Sequence, residues 1–182
     1  MGNVILGVTG SIAAFKSASI CTALCKKGHD VQVVMTDSGR QFITPTTMRA
    51  LSGRPVVTDL FIDETKASLV HISLAEWAEI LLIAPATANI IAKIWAGIAD
   101  DALSCTAMAS PCPKIIAPAM NDLMWESEAT KRNVAELEAV GYVFVGPAHG
   151  RLASGKEAVG RLAPVDEIVS VTERLMSGKS MT

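Results

Sequence analysis

Five segments of this chain combine residue types that bind anions, accept a flat ring or move a proton. Gly7-Val8-Thr9-Gly10-Ser11-Ile12 closes an apolar run and opens a helical pattern. Backbone N–H groups at a helix start, with glycine allowing close approach, make an anion site; the same residues also suit a tight turn capped by Ser11. The segment is neither a dinucleotide GxGxxG nor a GK[ST] phosphate loop. Thr36-Asp37-Ser38-Gly39-Arg40-Gln41-Phe42 offers hydroxyls and a guanidinium, or a helix cap. The run before it lacks a terminal acid, which argues against NAD; Asp37 is the one stand-in for a ribose partner.

Ala84-Pro85-Ala86-Thr87-Ala88-Asn89 has small residues that let a ring approach the backbone and two polar tips to bond its edge. It also reads as a turn with Asn89 capping the next helix. Pro118-Ala119-Met120-Asn121-Asp122-Leu123-Met124-Trp125 sets methionines and a tryptophan in a Pro-led loop. Loops are normally polar, so this one suggests a ligand wall or an interface; a satellite hydrophobic cluster is the plainer reading. From Gly150 to Arg161 the chain is glycine-punctuated and basic, which suits either a lid over an anion or a solvated connection. Its cations are Arg151, Lys156 and Arg161.

His71 carries an imidazole, the side-chain type suited to acid–base work near neutral pH, although a lone histidine is more often structural or exposed. His29 and His149 read as exposed turn residues. Cys21 and Cys25 lie one helical turn apart with only His29 nearby, where a metal needs two more ligands, so buried helix cysteines are expected rather than a metal site. Cys105 and Cys112 complete a set too sparse for a disulfide framework.

Positioning these segments requires a sheet. Apolar runs occur at Val4–Val8, Val31–Met35, Ile80–Ala84, Lys114–Ala117 and Tyr142–Val145. Helical patterns fall between them: Ser11 to Lys27, stopped by Gly28, then Asn89–Trp95, Asp101–Met108, Ser127–Ala139 and Val165–Leu175. Short continuous apolar strands alternating with helices predict an α/β fold, a doubly wound parallel sheet with helices on both faces. Ligands of such sheets bind where loops leave the carboxyl ends of the strands, which is where the five segments fall. The 182 residues read as one domain, 1–182, with a frayed tail over 177–182.

Composition excludes several classes. Half the residues are hydrophobic, 19% are charged and the net charge is -2. No basic cluster offers a nucleic-acid surface. A mean hydropathy of +0.38 points to heavy burial rather than a membrane span, because Ile80 to Ala99 is broken by Pro85, Thr87, Asn89 and Lys93. The amino terminus enters a strand without a basic leader, so the cytoplasm is expected.

In order and spacing the segments resemble the homo-oligomeric flavin-containing cysteine decarboxylases, from about Asn3 to Leu175. The matching strings are Gly10-Ser11-Ile12-Ala13-Ala14-Phe15-Lys16, His71-Ile72-x-Leu74, Pro85-Ala86-Thr87-Ala88-Asn89 and Pro118-Ala119-Met120-Asn121-x-x-Met124-Trp125. The last is the most specific. The resemblance implies a flavodoxin-like (Rossmann-like) domain binding FMN, assembled as trimers with the flavin near a subunit interface. It places Gly10, Ser11, Thr36 and Ser38 around the FMN phosphate, with Ile12 also at the cofactor, and Thr87, Ala88 and Asn89 against the isoalloxazine. His71 would be the acid/base residue. Asn121 would hold the substrate carboxylate, with Met124, Ala153 and Lys156 as further substrate contacts.

The implied reaction is decarboxylation of 4'-phosphopantothenoylcysteine to 4'-phosphopantetheine in coenzyme A biosynthesis, with a separate ligase supplying the substrate. In the family's route the cysteine side chain loses a hydride equivalent to FMN, and the resulting thioaldehyde absorbs the electrons released with CO2. The enethiol so formed is then reduced and protonated. Alternatives within the resemblance are oxidative decarboxylation of a peptide's terminal cysteine and a non-catalytic FMN-binding regulator. Two departures stand out. The family's lid reads Ala-Cys-Gly with the cysteine as proton donor, whereas this chain has Ala153-Ser154-Gly155. A hydroxyl is a far weaker acid than a thiol of pKa about 8.5, and Lys156 is the nearby compensating donor. The family's Asp-Asn pair is here Asp100-Asp101.

Overall fold

The structure is a computed structural model that describes residues 1–61 and 69–178. From residue 179 the expected frayed tail lies outside the described residues.

Five strands, β1 Asn3–Val8, β2 Asp30–Met35, β3 Ile80–Ala86, β4 Lys114–Pro118 and β5 Val143–Phe144, form one sheet in the order β2-β1-β3-β4-β5. All its pairings are parallel. Successive side chains of a strand face opposite ways, so a sheet covered twice needs apolar residues at both parities. Leu6, Leu82 and Ile115 face one core with Ile20 and Leu24 of α1 (Phe15–Lys26). Met48 of α2 (Pro45–Ser52) and Ile168 of α8 (Val165–Met176) complete that side. Ile5, Ile83 and Ile116 face the other core. There they meet α3 (Val70–Trp77), α4 (Ala88–Ala96), α5 (Ala102–Ala109) and α7 (Glu128–Ala139). The doubly wound expectation is met.

Three expectations need correction. The stretch from Gly150 to Arg161 is no irregular loop: β6 (Ala148–Arg151) and β7 (Glu157–Arg161) pair antiparallel as a hairpin apart from the main sheet. The Pro-led segment 118–125 ends in a short helix, α6 (Asp122–Glu126), started by Asn121. His29 is buried rather than exposed, its Nε2 against Glu173 Oε1 of α8. Lys27 reaches the same carboxylate, so the turn after α1 is bonded to the C-terminal helix. All four cysteines are free, with Cys21 fully buried. Burial, with Cys25 beside it, pushes the Cys21 thiol up to about 12, as an inert core cysteine requires.

Candidate active site

The order 2-1-3-4-5 reverses direction between β1 and β3, and the crevice at that switch point is the expected ligand site. Two buried hydroxyls shape it. Thr9 Oγ1 donates to Pro85 O at 2.7 Å and accepts the Thr87 amide at 3.1 Å. Ser17, in the first turns of α1, donates to Ala84 O at 2.7 Å. These bonds hold the end of β3, where the register with β4 shifts between Ile83 and Ala86 and the strand leaves its ladder.

Between these loops and the hairpin lies a cleft of about 690 Å³, within the usual 300–1,000 Å³ for ligand pockets. Its floor is Gly10, Ser11 and Ile12 at the start of a 3-10 turn that runs into α1. Ser11 caps this turn, its hydroxyl accepting the Ala13 amide at 3.3 Å. Gly10 is required by close approach, since a Cβ there would fall 2.4 Å from Ser38 Cβ. The β1 and β2 loops therefore touch, and Ser38 stands directly behind Gly10. Thr36 is occupied locally, accepting the Gly39 amide at 3.1 Å.

One wall carries Met120, Asn121 and Met124, and the hairpin contributes Arg151, Leu152, Ala153 and Ser154 opposite. Asn121 Oδ1 accepts the Leu123 amide at 2.9 Å as the cap of α6. That bond fixes the amide plane and leaves the Nδ2 donors for a ligand.

Lys16, Arg151 and Arg161 also line the cleft, and none has an acidic partner among the described residues. Burial, and then the charge of Arg161, holds the Lys16 ammonium below its usual pKa. Adjacent unpaired cations of this kind are relieved by an anion. Arg151 and Arg161 were among the cations expected to face an anion, whereas Lys16 was not an expected contact. The signal for Arg161 was its place in a basic, glycine-punctuated segment, while Lys16 lay hidden in a helical pattern.

Several expected residues fall elsewhere. Lys156 turns away from the cleft and pairs with Asp122. Thr87 borders the cleft and is itself the cap of α4, accepting the Ile90 amide at 3.4 Å; the expected cap, Asn89, is exposed two residues further on, in the first turn of α4 with Ala88, both outside the cleft lining. His71 lies on α3, also outside the lining. The far end of α3 is fixed where Asn3 donates to Trp77 O at 2.9 Å, roughly 9 Å along the axis from His71. His71 Nδ1 is buried without a hydrogen-bond partner. Asp101 caps α5 in a capping box with Ser104, and Lys93 bridges Asp100 and Asp101 at 2.6 and 3.0 Å.

The sequence profile of the flavoprotein family matches residues 2–177. The chain belongs to the flavoprotein family. It is 41% identical over 178 residues to the coenzyme A biosynthesis bifunctional protein CoaBC of Vibrio vulnificus (strain YJ016), covering 98% of this chain and 44% of that protein. The chain thus spans under half the length of the curated relatives it matches. Among solved structures, a cysteine-to-serine variant of PPC decarboxylase complexed with pantothenoylaminoethenethiol superposes with a TM-score of 0.87 at 31% identity, covering 97% of this chain and 98% of that one. The FMN-dependent cysteine decarboxylase SpaF gives a TM-score of 0.84 at 33% identity, covering 97% of each chain.

The residues present fit a flavin mononucleotide. The Gly10–Ser11 turn, with Ser38 behind it, suits a phosphate. Ile12 and Met120 suit the apolar faces of a ring system. Among the described residues no cluster suits a metal ion and no helix is long and apolar enough to cross a membrane.

Proposed function

We propose that this chain catalyses FMN-dependent decarboxylation of 4'-phosphopantothenoylcysteine to 4'-phosphopantetheine. The observation that carries this reading is the joining of three features in one cleft: a capped helix start, the Asn121 amide and three unpaired cations, Lys16 on α1 and Arg151 and Arg161 on the hairpin. The substrate is anionic at both ends. Asn121 Nδ2 donates to the carboxylate that departs as CO2, and its own cap holds it in place. Arg151, Arg161 and Lys16 suit the phosphate, guanidinium groups matching its oxygens in bidentate fashion. A peptide carboxy terminus leaves most of that charge unused. FMN, when bound, would supply the hydride acceptor that oxidises the cysteine side chain, so that the substrate's own thiocarbonyl can take up the electrons released with CO2.

His71 is the proton carrier in this reading, and its position supports a trimer with the flavin near a subunit boundary. Exposed apolar side chains occur on the same helix and its neighbour: Leu69 at the start of α3, Ile72 within it and Met108 on α5, which packs against α3. Oligomerisation buries such a patch and brings His71 to a neighbouring cleft. The free cysteines accord with a cytoplasmic enzyme.

A second reading is favoured by one observation: no cysteine lines the cleft, and Ser154 occupies the hairpin turn. Without a thiol to donate the last proton, the reaction would stop at the enethiol. The PPC decarboxylase variant that lacks one cysteine is likewise bound to an enethiol.

The test is anaerobic incubation of purified protein with 4'-phosphopantothenoylcysteine, following flavin absorbance and product mass together. The first reading expects 4'-phosphopantetheine and flavin that ends oxidised. Bleached flavin with a product two hydrogens lighter would establish the second. No CO2 release would overturn both.

A further inference from the structure

The β6–β7 hairpin stands over the cleft on two attachments. At its base Met120 N donates to Gly160 O at 3.0 Å, and the chain is so close there that a Cβ on Gly160 would lie 2.3 Å from Met120 O. At its tip the turn is closed by Leu152 N to Lys156 O at 2.8 Å and Gly155 N to Leu152 O at 2.9 Å. Leu152, Ala153 and Ser154 of this turn line the cleft, whereas Lys156 leaves it on the outer side and reaches Asp122 Oδ2. Asp122 is the first residue of α6, next to Asn121. Its side chain is only 11% exposed, against 60% for Lys156.

We propose that Asp122 is the positioning residue of the lid: its ion pair with Lys156 holds the 152–156 turn, and Ser154 with it, over Asn121. The base attachment, the Met120–Gly160 bond with Gly160 packed against residues 120–122, lies four residues beyond Lys156 and does not itself reach the 152–156 turn. The pair joins that turn to the residue adjoining the proposed carboxylate ligand, so lid and substrate clamp move as one. This inference rests on the cleft being the site described above. Asp122 touches no reacting atom and acts through Lys156. The anchor is the better buried partner and the lid carries the flexible one, which lets the pair break and re-form as the lid opens.

Hydrogen exchange of the Leu152 and Gly155 amides, read on the flavin-loaded protein without substrate, tests the proposal independently of turnover. Asp122→Asn and Lys156→Gln should each accelerate exchange about twofold to fivefold, the range of a partly exposed ion pair. The double variant should be no faster than either single one, because both remove the same interaction. Lys156→Arg should restore slow exchange, and 1 M salt should bring the wild type towards the variants. Lys156 is at an exposed turn, so its variants do not endanger the core. Unchanged exchange in either single variant, or accelerations that add in the double variant, would overturn the latch. A wild type that releases no CO2 would overturn the decarboxylase reading while leaving the exchange result standing.

Discussion

Thr9 and Thr87 are 78 positions apart, yet one hydroxyl joins their loops: Thr9 Oγ1 accepts the Thr87 amide at 3.1 Å while donating to Pro85 O at 2.7 Å. Thr9 is 2% exposed, so no water replaces it. The floor of the cleft, from β1, and its Thr87 edge, after β3, are thus fixed to each other before any ligand arrives.

Thr9→Val keeps the shape and removes both bonds. Leaving a buried carbonyl unsatisfied costs about 1–3 kcal/mol. Urea unfolding should show a loss in that range, and flavin titration a weaker dissociation constant, while Thr9→Ser should stay close to wild type in both. Wild-type flavin affinity in a destabilised Thr9→Val would show that the stitch serves the fold alone.

The His29–Glu173 contact makes stability depend on pH. The His29 bond, followed by Lys27, holds the Glu173 carboxyl below its usual range. A carboxylate with a depressed pKa contributes stability above its ordinary value, near 4.3, and loses it as pH falls through the lower one. Glu173→Gln should therefore be less stable by about 1 kcal/mol at pH 7. That gap should narrow steadily below pH 4 or so in denaturant melts. A gap that stays constant down to pH 2 would exclude the carboxylate charge as its source.

The sheet was legible because strands buried on both faces must be apolar at every position, and β1 to β4 stand within two residues of their apolar runs. Caps were partly legible: Ser127 and Asp101, expected inside their helices, sit one residue before them as caps. The hairpin was not, because a two-stranded ribbon exposing His149, Arg151, Glu157 and Arg161 has no buried face to impose a period. Helix α2 went unread although Thr44, Pro45 and Gly53 mark its cap, first turn and end. The cleft residues at strand ends were largely found from their loops. Lys156 was misplaced because its partner, Asp122, lies 34 positions away and spacing carries no sign of the pairing. His29 looked like a turn residue for the same reason, its partner being 144 positions distant.

In the proposed reaction, Ser154 is the residue at which the final protonation can be tested. Ser154→Cys puts a thiol, with an ordinary pKa near 8.5, into the turn that covers the cleft. A positioned general acid is worth roughly 100-fold, so saturation of the enethiol should accelerate by about that factor. The rate of CO2 release should change little, since it precedes that step. Parallel assays of CO2 and of product mass separate the two. An unchanged saturation rate in Ser154→Cys would place the proton donor elsewhere in the cleft.

Lys16 and Arg161 should act as a pair that selects for charge. Each is unpaired in the cleft, and burial first, then the charge of Arg161, holds the Lys16 ammonium below its usual pKa. A dianionic phosphate seated between them reverses that penalty. Arg161→Ala or Lys16→Ala removes one charge-assisted contact, worth about 1.5–3 kcal/mol, or roughly 10- to 150-fold in KM. The same substitutions should leave KM for the unphosphorylated analogue nearly unchanged, so the ratio of the two KM values is the measurement. The pH dependence has a definite sign. Lys16 loses its proton at lower pH than an ordinary lysine, so affinity for the phosphorylated substrate should fall as pH rises through that depressed pKa. Binding in that window should take up a proton, detectable as a buffer-dependent heat in calorimetry. Equal losses for both substrates would mean that the two cations serve the flavin phosphate or the fold, and that the cleft selects its substrate by other contacts.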